Sequence, residues 1–183
     1  TTKAEIETFL FNPNLAWKVT DTFTLAGGID LLLGDSTLEN NINLSKYGLP
    51  DAKQKFPGEG HGWGYNWGVL WKIKKGLSLG ISYRSGIDLE LEGDLHFNFP
   101  AGTPSGIKAM FPNPGAKVDV NLPPQVFKGL AYQVNDNLVV EIGGRWEGWS
   151  RYKELKLDLD QPVSGQDTII IKKNWKDTLS FNT

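Results

Sequence analysis

Apolar and polar residues alternate along most of this chain with a period of two residues. The longest example spans residues 77–99, where nearly every odd position is apolar and nearly every even position is polar. A two-residue period places the two sets on opposite faces of a β-strand. A typical strand is only about 5 or 6 residues long. A much longer strand with a charged face is typical of a transmembrane barrel, because one face meets lipid and the other meets a wet lumen.

The same alternation predicts an all-β, antiparallel fold of about seven long strands. They are expected at residues 5–20, 23–34, 61–73, 77–99, 118–134, 138–159 and from 168 onward. In the third strand, Trp63, Tyr65, Trp67 and Trp71 share one face and glycines occupy the other. We expect the aromatic face to meet lipid, where Trp and Tyr favour the interfaces. The alternation changes phase near Trp149, which predicts a bulge or a membrane boundary there.

The connections between these strands alternate between short and long. Short polar turns are expected at 21–22, 74–76 and 135–137, and long connections at 35–60, 100–117 and 160–167. Outer-membrane barrels have short periplasmic turns and longer extracellular loops. Seven is an odd count, whereas bacterial single-chain barrels have even counts. We therefore expect residues 1–183 to be the central part of one barrel domain, with its terminal strands absent.

The amino-acid composition argues against several kinds of site and of function. The 183 residues include 7 Trp and no Cys, which excludes disulfides and thiolate metal sites. The net charge of −2, with both signs interspersed, gives no basis for nucleic-acid binding. His61 and His96 lack the spacing of metal ligands, and no nucleophile–base arrangement stands out. We therefore expect no cofactor, no metal and no enzyme.

Several segments resemble one known family. They are Gly62-Trp63-Gly64-Tyr65-Asn66-Trp67-Gly68-Val69-Leu70 with Ile81-Ser82-Tyr83-Arg84-Ser85, Asn121-Leu122-Pro123-Pro124, residues 146–155 (WEGWSRYKEL), Asn174-Trp175-Lys176-Asp177, and residues 14–21 (NLAWKVTD). In this order they are similar to the FadL family of outer-membrane transporters for long-chain fatty acids and aromatic hydrocarbons. The likeness covers nearly the whole chain apart from the long loops.

The resemblance implies a monomeric 14-stranded barrel of the bacterial outer membrane, plugged by an N-terminal hatch that is absent here. It implies passive transport of hydrophobic small molecules, captured by extracellular loops and passed to a site in the lumen. Outer-membrane lipid and lipopolysaccharide are the expected surroundings of the wall.

Two sets of residues are candidates for ligand binding. The apolar set lies in or beside the long connections: Phe99, Ile107, Met110, Phe111, Leu49 and Phe56. The basic set is Arg84, Arg145, Lys172 and Lys176. For the apolar set the alternative is packing of the loops on one another. Lumen charge is expected at Arg84, Asp88, Glu90, Glu92, Glu141, Arg145 and Glu147, and the alternative for these is a mutually paired network.

Two positions bear on the type of ligand. Fatty-acid members of the family carry basic lumen residues where this chain has Asp35 and Ile171, with Lys172 next to the latter. That difference weakens a carboxylate clamp and favours a neutral hydrocarbon. Two other classes of protein stay open: a soluble, Trp-rich carbohydrate-binding β-sandwich, and a barrel enzyme such as an outer-membrane lipase.

Overall fold

The computed structural model describes residues 2–163 and 165–182 of the chain. It contains one 13-stranded antiparallel sheet. The strands are β1 (Lys3–Phe11), β2 (Asn14–Lys18), β3 (Phe23–Ile42), β4 (Ala52–Lys74), β5 (Leu77–Arg84), β6 (Ile87–Asp94), β7 (His96–Asn98), β8 (Gly115–Leu122), β9 (Gln125–Asn135), β10 (Leu138–Glu147), β11 (Glu154–Val163), β12 (Gln166–Lys172) and β13 (Thr178–Asn182). One short helix, α1 (Ser105–Ala109), and two 3-10 turns, Ser45–Tyr47 and Trp149–Arg151, complete the elements. Within the described residues, no helix is long and apolar enough to cross a membrane.

The predicted seven-strand order is confirmed, but five of the seven strands are broken. The breaks fall at residues 12–13, 85–86, 123–124, 148–153 and 173–177, whereas β3 and β4 run through unbroken. The breaks at 123–124 and 148–153 contact each other, and the break at 85–86 contacts the unbroken β4. The Ser85 amide donates to the Tyr65 carbonyl at 2.9 Å, and the Gly148 amide donates to the Pro124 carbonyl at 2.9 Å. The breaks therefore form one level across the sheet.

This level divides the sheet into two halves with the same strand order. The lower half pairs β2, β3, β4, β5, β9, β10 and β13 in sequence. The upper half pairs β1, β3, β4, then β6 with β7, then β8, β11 and β12. Each of the seven predicted strands thus contributes one segment to each half.

The three short turns are confirmed, and the long loops are largely wrong. Most of residues 35–60 is strand, because β3 and β4 pair from Phe23↔Trp71 up to Ile42↔Ala52. Residues 100–117 hold α1 and the start of β8, while 160–163 belong to β11 and 166–167 to β12. The Gly, Pro and Asn residues of these segments favour loops by local preference. Pairing with a neighbouring strand nevertheless holds most of residues 35–60 in an extended conformation.

In the lower half, large apolar side chains share one exposed face. Trp63, Tyr65, Trp67 and Trp71 are 45–59% exposed, as predicted for the lipid face. The opposite face of the same strand carries Gly64, Asn66 and Gly68. This half has its apolar side chains outside and small or polar side chains inside.

In the upper half, apolar side chains meet inside the sheet. The buried cluster consists of Leu32, Phe56, Ile87, Leu89, Leu91, Leu95, Ala116, Val118 and Leu159. Leu91 is only 1% exposed, as are Leu44 and Leu95. We call this cluster and the strands around it the cap. Burial of apolar area from water is its main source of stability.

The prediction that 77–99 is one strand with constant faces is wrong. On β4, Asn66 pairs with Arg84 below the break, whereas Gly60 pairs with Leu91 above it. This one-residue shift at Ser85–Gly86 acts as a β-bulge and turns the odd residues from outside to inside. Asp88, Glu90 and Glu92 consequently face outward from the cap rather than into the lumen.

Candidate functional site

A concave space of about 800 Å³ lies against the inner face of the lower half. Half of the residues that line it have small side chains, among them Ala26, Gly68, Ser78, Gly80, Gly129 and Gly143. Such residues keep the backbone accessible and leave room for a guest molecule. Leu70, Phe127, Glu141 and Arg145 are larger side chains of this surface.

The lumen charges at the upper rim of this space are paired. The Arg145 guanidinium lies 3.5 Å from the Glu147 carboxylate and 5.9 Å from the centre of the Phe127 ring. Gln125 donates to Glu147 at 3.1 Å. For these residues the structure favours the paired network over free charges, and Phe127 offers an aromatic face that Arg145 covers in part.

A second polar group, which the sequence reasoning missed, lies at the level of the breaks. Asp30 on β3 is 0% exposed, and its carboxylate accepts hydrogen bonds from Asn66, at 3.2 Å, and from Asn12. The Arg84 Nε lies 3.4 Å from the second carboxylate oxygen. Asp30 interrupts the apolar run 29–33, and that interruption was the available signal. The cluster joins β3, β4, β5 and the break between β1 and β2, where the two halves meet.

Two of the predicted apolar residues, Phe99 and Phe111, form one aromatic cluster with Phe97 near α1. Phe97, Phe99 and Phe111 have ring centroids 5.6–6.4 Å apart. Met110, at the end of α1, is 45% exposed, and Ile107 on α1 is half-buried. The cluster combines packing of the loop with an apolar surface open to solvent.

The remaining predicted site residues lie apart from this cluster. Phe56 is 2% exposed within the cap core, where a ligand cannot reach it in this conformation. Leu49 is half-buried at the tip of the β3–β4 hairpin. Lys172, at the end of β12, is exposed on the upper half, and Lys176 is exposed in the break between β12 and β13. The ten candidates therefore form no single site.

The expectation that Asp35 lies in the lumen is wrong. Asp35 is exposed on the outer face of β3, and its neighbour Ser36 is the buried, inward residue. Ile171 pairs with Leu155 on the inner face of the cap and is 50% exposed. The preference for charged or neutral ligands therefore depends on the lumen arginines rather than on Asp35.

Outside the lumen, Glu92 and Lys117 form the most directly coupled ion pair of the cap. The Lys117 ammonium donates a hydrogen bond to Glu92, and this contact holds the pKa of the Glu92 carboxyl below its usual value. Within residues 2–163 and 165–182, no group of three or more His, Asp or Glu side chains is arranged to hold a metal ion.

A family model described as "Outer membrane protein transport protein (OMPP1/FadL/TodX)" matches residues 1–183. The chain belongs to this family. It is a protein of the outer membrane of Gram-negative bacteria, and the exposed apolar face of the lower half is its lipid-facing surface. The sandwich alternative is wrong, since the described strands form one continuous sheet and the family match covers the whole chain.

Solved structures of the family share the fold. A FadL homologue from Pseudomonas aeruginosa has a TM-score of 0.84 at 21% identity, over 97% of this chain and 45% of that one. The Ralstonia pickettii toluene transporter TbuX has a TM-score of 0.78 at 17% identity, over 97% and 51%. The Pseudomonas putida toluene transporter TodX has a TM-score of 0.67 at 14% identity, over 95% and 49%. The chain thus spans about half the length of these relatives. No curated protein matches it in sequence.

Proposed function

We propose that the protein containing this chain carries hydrophobic small molecules passively across the outer membrane, and that neutral molecules are its preferred cargo. The chain supplies about half of the barrel wall, with the cap above it. Transport of this kind makes and breaks no bonds, so it requires neither a catalytic group nor a cofactor.

Capture is assigned to the loop cluster. Phe99 and Phe111 present apolar surface beside the exposed Met110, and the polar extracellular face of the cap surrounds them. An exposed apolar patch rimmed by polar residues is typical of a binding surface. A hydrophobic molecule gains free energy there by leaving water, at roughly 25 cal/mol per Å² of apolar area removed.

Passage is assigned to the lumen space beneath the cap. Its small side chains leave a channel along β5, β9 and β10, and Phe127 provides an aromatic contact. The observation that carries the preference for neutral cargo is the pairing of both lumen arginines. Arg84 lies beside Asp30, and Arg145 lies beside Glu147. A carboxylate ligand must displace one of these internal acids, whereas a neutral ligand displaces none.

Two of the structural relatives, TbuX and TodX, are toluene transporters, which supports the same preference. Long-chain fatty acids are the second candidate. The exposed Lys172 and Lys176 favour them, because an ammonium group can attract a carboxylate before it enters the barrel.

The test uses the full-length protein reconstituted into lipid vesicles, with toluene and oleate offered separately. We expect faster toluene entry than in protein-free vesicles, and a several-fold loss of that rate in Phe99→Ser and Phe111→Ser. Tyr47→Ser is the matched control, because Tyr47 is 50% exposed at the hairpin tip, outside the cluster.

Oleate uptake without toluene uptake overturns the preference for neutral cargo. Unchanged toluene entry in both Phe variants overturns capture by the loop cluster. Migration of unheated samples on gels shows whether each variant has folded.

A further inference from the structure

Lys128 occupies a lipid-facing position of β9. Its neighbour Phe127 lies in the lumen under Arg145, and Gln125 bonds to the lumen residue Glu147. Alternation along β9 therefore turns Lys128 outward with Val126 and Leu130. The other outward residues of β5, β9, β10 and β13 are uncharged: Leu77, Leu79, Ile81, Tyr83, Tyr132, Val134, Val140, Ile142, Gly144, Trp146, Leu179 and Phe181.

The surroundings of Lys128 are set by strands that the chain itself supplies. Lys128 pairs with Ile81 on β5 and with Gly144 on β10, and Gly144 pairs in turn with Phe181 on β13. Because both neighbours of β9 are present, the rest of the barrel does not alter this environment.

A groove of about 570 Å³ runs over this part of the wall. Its lining is apolar apart from Lys128 and includes Leu79, Ile142, Trp146 and Phe181. Gly144 leaves it open, since a Cβ there would lie 3.5 Å from the Phe181 ring. The groove has the shape and chemistry that an acyl chain requires.

The height of Lys128 places it in the outer leaflet. The row Val126–Trp146 is the outermost on these strands, and Lys128 lies one row, about 7 Å, below it. A lysine can extend its ammonium group toward the interface while its stem stays among apolar groups. A lipid-facing lysine is nevertheless destabilising unless it reaches water or an anion.

Among the described residues, no acidic side chain pairs with Lys128. Every ion pair of this part of the chain lies in the lumen, in the cap or near a strand end. An anion that pairs with Lys128 within the outer leaflet therefore comes from the lipid, and the alternative is that the ammonium group extends to interfacial water.

We propose that Lys128 and the groove over Gly144 form a binding site for a phosphorylated lipid of the outer leaflet, namely the lipid A part of lipopolysaccharide. The Lys128 ammonium donates charge-assisted hydrogen bonds to a lipid phosphate. One acyl chain lies in the groove against Trp146 and Phe181. The site lies on the opposite face of the wall from the transport lumen and is independent of the cargo.

The test measures lipid retained by the full-length protein in detergent, by native mass spectrometry with added lipid A, with dephosphorylated lipid A and with inorganic phosphate. We expect lipid A to be retained in preference to both others. Lys128→Leu should reduce its retention about tenfold, and Lys128→Arg should preserve it. Gly144→Leu should reduce retention of lipid A and of dephosphorylated lipid A alike, because it fills the groove.

The matched control is Lys75→Gln in the periplasmic turn, which should change nothing. Equal retention of lipid A by the wild type and Lys128→Leu overturns the site, as does equal retention of phosphorylated and dephosphorylated lipid. Binding of inorganic phosphate alone shows that the lysine takes any anion, which also contradicts a lipid site. Unchanged toluene uptake by Lys128→Leu is expected in either case.

Discussion

The lower and upper halves of the sheet share one strand order and opposite orientations of their apolar residues. Below the breaks the apolar side chains face out to lipid, whereas above them, on β6, β8 and β11, they face into the cap. The cap is surrounded by water, so its apolar area is buried on the inner face, whereas in the membrane lipid covers apolar area on the outer face. These strands must therefore reverse their apolar faces at the level of the breaks.

The strands achieve this reversal in two ways. On the unbroken β3 the same backbone face stays inward, and the apolar positions shift instead. Leu31 and Leu33 face outward and Leu32 faces inward. Above them only even positions are buried. Between β5 and β6 the sequence keeps its phase and the backbone changes at Ser85–Gly86, whereas from β10 to β11 the apolar positions themselves change from even to odd. An unbroken alternation therefore does not mean that a strand keeps one face to lipid.

The largest predicted effect is a difference in lost stability between substitutions of Leu91 and Leu79, two leucines in the same alternating sequence pattern. Leu91→Ala should destabilise the protein by about 2–5 kcal/mol, because it opens a cavity in a packed core. Leu79→Ala should cost much less, since lipid fills the vacated space. Urea unfolding of the full-length protein in vesicles measures both. Equal losses contradict the assignment of Leu91 to a core and Leu79 to lipid.

The next comparison uses two glycines on the inner face of β4. An alanine Cβ at Gly60 would collide with the Glu90 carbonyl oxygen, whereas at Gly68 the nearest atom, the Ile81 oxygen, is 3.5 Å away. Gly60→Ala should therefore cost about 1–3 kcal/mol, as overpacking does. Gly68→Ala should leave the unfolding midpoint unchanged. A tolerated Gly60→Ala refutes the close approach of β6 to β4.

The third prediction concerns the ion pair between Asp30 and Arg84, at the level where the two halves of the sheet meet. Asp30→Asn should cost about 1 kcal/mol, toward the low end for an unpaired buried group, because the Arg84 side chain is 40% exposed to lumen water. Arg84→Gln in the same protein should recover part of that loss. The double-mutant cycle of unfolding free energies measures the coupling, and strict additivity contradicts the ion pair.

The smallest predicted effect is a dependence of the folding stability of the cap on pH. Since Lys117 lowers the pKa of Glu92 in the folded protein, the pair contributes stability above the ordinary Glu pKa of about 4.3. That contribution is lost as the pH falls through the lowered folded value. Glu92→Gln should flatten this part of the pH profile, and high salt should do the same. An unchanged profile in Glu92→Gln excludes a role for the pair.

The aromatic face of β4, the short turns and the order of seven strands could be predicted from local sequence, because each depends on a two-residue period or on a turn of a few residues. The Asp30 cluster could not, since Asp30, Asn66 and Arg84 come from three strands and Asn12 from the break between β1 and β2. The outward position of Asp35 could not be predicted either, because it depends on which face of β3 turns inward after Leu32.

The sequence by itself determined that the chain is a set of long two-faced strands, and its motif order pointed to the family. Only the tertiary structure decided which face is inside at each height, because a two-residue period defines two faces without naming their surroundings. The register of β6 and β8 against their partners, and the water around the cap, turn Ile87, Leu89 and Leu91 into a core. The same pattern below, at Leu79 and Ile81, remains a surface for lipid.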